Sequence, residues 1–136
     1  MILWARQLAW LQCADAENQP TRWIQLDRAS HILPEQGDLF DAAYILQRVG
    51  FYAPMGMGGI LPIRAGQIAD FVAATCGLIS PIEVDAALLA SDAYVGEYHR
   101  SNNRSTDAPW DWPKSKRDLE IFDAQTTKAL KVITGE

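Results

Sequence analysis

The sequence predicts a mainly α-helical, small single-domain bundle of four to five helices, interrupted by a Gly/Pro/Met-rich central loop. Three observations carry this. Apolar residues recur at helical spacing in several separate stretches, helix start and stop signals flank the strongest of them, and 136 residues suit one domain. A chain of this length buries about two-thirds of the surface its unfolded form exposes, enough for a core. Hydrophobic residues make up 49% and charged residues 21%, which are globular values.

Residues 2–14 place Trp4, Leu8 and Leu11 on one helical stripe, widened by Leu3, Ala5 and Trp10. Asp15 to Thr21 is polar and contains Pro20, so it reads as a loop. Trp23 to Asp27 is ambiguous, either a short helix or an extended arm, and Pro34 to Gly37 reads as a turn. From Asp38, a candidate N-cap, the pattern is firmly helical. Asp41 falls in the first turn, Leu39, Ala42, Ala43, Leu46 and Val49 share a face, and Gly50 is a natural stop.

The stretch Phe51 to Pro62 holds three glycines and two prolines, which exclude a regular helix. It is nevertheless too apolar for an ordinary solvated loop, so it either packs on the core or binds something. Residues 64–76 form the next helix, with Ile68, Phe71, Val72 and Thr75 on a face and Gly77 as its end. Ser80, Pro81 and Glu83 then make a capping box: the Ser hydroxyl accepts the Glu83 amide and the carboxylate reaches back to Ser80. That helix runs to about Arg100, with Val84, Leu88, Ser91 and Val95 on one face and Ala87, Tyr94 and Tyr98 beside them. Residues 101–116 read as a flexible linker containing tryptophan and proline. Residues 117–136 read as a final helix, with Leu119, Phe122, Ala129 and Ile133 near the helical period and its end prone to fraying.

Chemistry-bearing residues are sparse. His31 and His99 lack His, Asp or Cys partners at metal-ligand spacing and are expected in surface roles. Cys13 and Cys76 sit among apolar neighbours, so two buried free thiols in a reducing compartment are expected rather than a disulfide. The glycines of the central loop lack the Lys and Ser/Thr of a phosphate loop. Asp85, Asp92 and Glu97 are expected on a solvated acidic face rather than as an acid–base pair. No nucleophile motif is present, so the expectation is a non-enzyme with no cofactor and no metal.

A net charge of −5 disfavours nucleic acid, because the densest basic run, Lys114, Lys116 and Arg117, is followed at once by Asp118 and Glu120. No stretch approaches the ~18–20 apolar residues of a membrane span. The N-terminus lacks the basic region of a signal peptide. A cytoplasmic protein that binds another protein is therefore expected, with homo-oligomerisation open. Two segments are candidate contact surfaces. In the central loop they are Phe51, Met55, Met57 and Ile60, since methionines adapt to varied apolar partners. Further on, Trp110 and Trp112 lie between prolines, where they either fold back over the core or anchor a partner.

The order of devices between Ala43 and Trp110 carries a family resemblance. A helix ends at Gly50; Pro54 and Gly56-Met57-Gly58 form a loop; a Pro62-Ile63 step follows. A helix bearing Ile68 and Phe71 closes at Gly77, another begins at Pro81 and Glu83 with Ser91 and Tyr94 paired on it, and Ala108-Pro109-Trp110 ends the series. This resembles small tail proteins of tailed phages and prophages, of the tail-assembly-chaperone kind. Arg64 and Gly66 depart from the Ser/Thr usual there, and Phe71 and Ile82 each stand where tryptophan is usual. The resemblance implies a helper that coats a long apolar helical partner, the tape-measure protein, in the host bacterial cytoplasm. It leaves open a small virion subunit (tail-completion or connector) or a phage-encoded inhibitor of a host protein.

Overall fold

A computed structural model of the chain describes residues 1–26, 40–109 and 116–135. The described residues form a mainly helical single domain with six helices and one two-stranded ribbon. The helices are α1 (Ile2–Gln12), α2 (Arg22–Gln25), α3 (Phe40–Val49), α4 (Ala65–Thr75), α5 (Pro81–Ser101) and α6 (Lys116–Thr134). Strands β1 (Ala53–Pro54) and β2 (Ile60–Leu61) pair antiparallel inside the central loop. The helix beyond the expected number is α2, a single turn, which resolves the ambiguous segment after Pro20 as helix.

The broadest helix pairing is α1 against α5. Ala5 and Ala9 on α1 and Ala87 and Ala90 on α5 are fully buried, and side chains this small let two backbones approach closely. Trp4, Tyr94 and Val95 fill the space beside them. α3 adds Ala42, Ala43, Ile45 and Leu46 to the same core, and Ile60, Ile63 and Ile68 complete it from the central loop and α4. The ring of Tyr44 on α3 meets that of Phe71 on α4, centroids 6.1 Å apart.

The start of α5 departs from the expected capping box. Ser80 Oγ does accept the Glu83 amide, at 3.3 Å. The Glu83 carboxylate, however, does not return to Ser80; its Oε2 accepts the Ala42 amide of α3 at 2.7 Å. The physical reason is that the first amides of α3 are donors without helical partners, at the positive end of a helix dipole. Glu83 is thus capped by Ser80 at its own amide and caps a second helix with its carboxylate. At α4 the bond runs the other way: Gln67 Oε1 accepts the Arg64 amide at 2.9 Å, and Arg64 has no side-chain oxygen to reciprocate. The left-handed residue that ends α4 is Cys76 (φ 52°), not Gly77, whose amide instead reaches Val72 O at 3.2 Å.

That geometry corrects one expectation. Cys13 is buried, but Cys76 lies at the exposed end of α4. The first part of the segment after α5 is fastened to the helices. Within residues 102–109 Trp10 Nε1 donates to Thr106 O at 3.2 Å, Arg22 Nη2 to Arg104 O at 2.5 Å, and Arg100 Nη2 to Asp107 O at 3.0 Å. Donors on α1, α2 and α5 thereby tie down a stretch whose composition reads as a free linker. Asp38, Leu39 and His31 lie outside the described residues.

Two measurements check this account. Ser80→Ala should lower stability by about 1 kcal/mol, as loss of an N-cap side chain does. At pH 8 a thiol reagent should modify Cys76 at once and Cys13 only on unfolding, because burial pushes the Cys13 thiol up to about 11, outweighing the nearby Arg22 that lowers it.

Candidate functional site

The central loop is a hairpin with a buried base and an exposed tip. Its base is fixed by one hydroxyl. Ser91 Oγ, fully buried on α5, donates to Phe51 O at 2.7 Å and accepts from the Ile63 amide at 2.9 Å. Both ends of the loop are therefore held by the same side chain. Phe51 is half-buried between Trp4 and Tyr94, with ring centroids 5.4 and 5.0 Å away, and Tyr52 stacks on Tyr94 at 5.9 Å. Ile60 is 7% exposed, and its carbonyl lies 3.2 Å from His99 Nε2.

Beyond the base, the Met55 amide donates to Gly59 O at 2.8 Å, closing the turn. Gly56 to Gly58 forms a 3-10 turn in which Met57 (φ 67°) and Gly58 (φ 80°) are both left-handed. At Gly59 an added Cβ would lie 2.5 Å from Met55 Cε, so the missing side chain there lets Met55 fold across the turn. Met57 is fully exposed and Met55 and Leu61 about half so.

The structure thus divides the residues singled out by sequence. Met55 and Met57 are presented to solvent. Ile60 and Phe51, expected as partner contacts, are instead taken up by the core; the two-residue strands alternate their side chains, which turns Ile60 inward and Leu61 outward. Trp110 and Trp112 lie outside the described residues. Ser91, which positions the whole loop, carries in the sequence a helical-face assignment and a pairing with Tyr94 in the family resemblance, neither of which points to the loop.

The other polar concentration among the described residues is structural. Arg22, 2% exposed, donates to Asp15 Oδ1 (2.7 Å), Trp10 O (3.0 Å) and Ser101 O (3.3 Å), and its guanidinium lies 4.6 Å from the Trp10 ring centroid. Glu97, 3% exposed, accepts from Arg6 Nε at 3.1 Å, Arg100 Nε at 2.9 Å and Ser101 Oγ at 2.7 Å. Asp85 and Asp92 are exposed as expected, but Glu97 does not belong to a solvated acidic face. Three donors converging on one carboxylate compensate its burial. Burial pushes the Glu97 carboxyl up, but the bonds from Arg100, Ser101 and Arg6 together outweigh this and hold it below its ordinary value. Arg22 and Glu97 are thus committed to protein groups, and neither is directed as a base or acid into an open cleft.

Among the described residues no group of three His, Cys, Asp or Glu is placed to hold a metal ion, and no helix is long and apolar enough to cross a membrane. Comparison of the chain with protein-family models, with curated proteins and with solved structures finds no match.

Removing the Ser91 hydroxyl leaves the Phe51 carbonyl and the Ile63 amide unpaired, so Ser91→Ala should lower stability by about 2 kcal/mol in denaturant titration. Glu97 has a lowered folded pKa, so its stabilisation is complete above the ordinary carboxylate range. It is lost as pH falls from there through the depressed folded value. Glu97→Gln should accordingly flatten the acid side of the stability–pH curve, while an unchanged acid side would contradict the assignment.

Proposed function

We propose that this chain is a non-enzymatic, tail-assembly-chaperone-like protein that binds an apolar helical segment of a protein partner through the tip of its central hairpin. The observation that carries the reading is Met57. A left-handed backbone costs a non-glycine residue roughly 1–2 kcal/mol, and a fully exposed apolar side chain recovers none of this by burial. Glycine at position 57 would relieve that strain, so a methionine there serves something other than the fold of the isolated chain.

The chemistry of the tip suits such a partner. Thioether side chains are flexible and polarizable, and they repack against varied apolar surfaces. The base supplies what a binding loop also needs, a rigid mount through Ser91 and the Phe51 ring. The resemblance of residues 43–110 to phage tail proteins supplies the partner class, a tape-measure-like chain whose helices carry exposed apolar stripes. The acidic net charge would help to keep such a complex in solution.

Co-expression with the longest helix-rich open reading frame beside its gene, followed by affinity capture, tests the proposal. The expected result is a soluble complex with a partner that is insoluble alone. Met57→Gly should raise the stability of the free protein by about 1 kcal/mol and weaken capture. A partner that remains insoluble and uncaptured beside well-folded protein would overturn the proposal, as would capture indifferent to Met57.

A further inference from the structure

An apolar groove of about 370 Å³ runs between α4 and the start of α5, lined by Ala65, Ile68, Ala69, Val72, Ile79 and Val84 among others. A volume of about 150 Å³ accepts a benzene-sized group, so this one takes about two such groups. The groove lies on elements separate from the Met57 tip, and its walls are only partly covered: on α4 Ile68 alone is buried. Elsewhere in the same chain α6 carries Leu130, Val132 and Ile133 exposed to solvent. One surface lacks a ridge and the other lacks a groove.

Charge pairs the two. From Ala65 to Asp92 the chain contains four acids, Asp70, Glu83, Asp85 and Asp92, and no base. From Ala124 to Gly135 it contains two bases, Lys128 and Lys131, and no acid. Asp70, Asp85, Asp92, Lys128 and Lys131 are all exposed. Among the described residues both surfaces stand open, and a second copy fills both at once, each α6 entering the other's groove about a two-fold axis.

We infer that the protein forms a homodimer in which the C-terminal half of α6 of one copy seats its Leu130/Ile133 face in the α4–α5 groove of the other. The exchange buries two apolar faces per dimer and sets Lys128 and Lys131 against the acidic α4–α5 surface.

Sedimentation equilibrium of the full chain, with a site-directed cross-link, tests this. The expected mass is twice 15.1 kDa. Ala69→Asp, at an exposed position in the groove wall, should give monomers with unchanged helix content. Lys128→Glu with Lys131→Glu should weaken association about a hundredfold, since both substitutions act at each of the two symmetric interfaces and remove four modest surface pairs. For the cross-link, a copy carrying Ile133→Cys and Cys76→Ser is mixed with a tagged copy that keeps Cys76, which lies one turn beyond Ala73 at the groove's end. A short bis-maleimide should join the thiol introduced at position 133 of the first copy to Cys76 of the tagged one. A monomeric wild-type chain would overturn the inference. So would a dimer in which that cross-link between copies does not form, or a dimer indifferent to Ala69→Asp.

Discussion

The close approach of α1 and α5 is the constraint on which the rest of the structure depends. Alanines at 5, 9, 87 and 90 leave no bulky side chain between the two backbones, and the other core elements are placed relative to that seam. Because α5 is 21 residues long, about 30 Å, it serves several neighbours in turn. Its first turn holds α3 through Glu83, its middle holds the hairpin through Ser91, and its last turns hold α1 through Glu97. A larger residue at Ala87 or Ala90 would therefore disturb more than one contact, since these attachments share one rigid helix.

Polar fastening follows from this arrangement. Where α5 ends, carbonyls of Ser101 and Arg104 meet the buried Arg22, whose planar guanidinium satisfies several acceptors at once in a way a lysine would not. The result is a domain whose buried charges are committed to structure, while its apolar excess is displayed outside. Met57, Leu78, Ile82, Val132 and Ile133 are all strongly exposed. That exposed apolar surface is what the proposed protein contacts would use.

Local structure is legible in the sequence, and long-range pairing is not. Ser80 and Pro81 mark the start of α5, and Gly50, at φ 111°, marks the end of α3, because caps and stops act within one turn of chain. Helical spacing likewise finds Ala87, Ser91, Tyr94 and Val95. Glu97 is misread because an acid on the same helix as Asp85 and Asp92 reads as part of one solvated acidic face. What distinguishes it is Arg6, ninety-one positions away. Arg22 finds Ser101 at a separation of 79, and Glu83 finds Ala42 at 41. The central loop shows the same limit. Its composition excludes a helix and draws attention to Met55 and Met57, but alternation over two-residue strands is too short to show that Ile60 turns inward.

The central claim is that a rigid base holds an apolar tip out in solvent, and amide hydrogen exchange followed residue by residue tests it most directly. The account predicts that the Ile63 amide, bonded to buried Ser91, exchanges as slowly as the middle of α5, while Gly56 and Met57 exchange at once. An Ile63 amide exchanging as fast as the tip would contradict it, because the hairpin would then have no fixed mount from which to present its methionines.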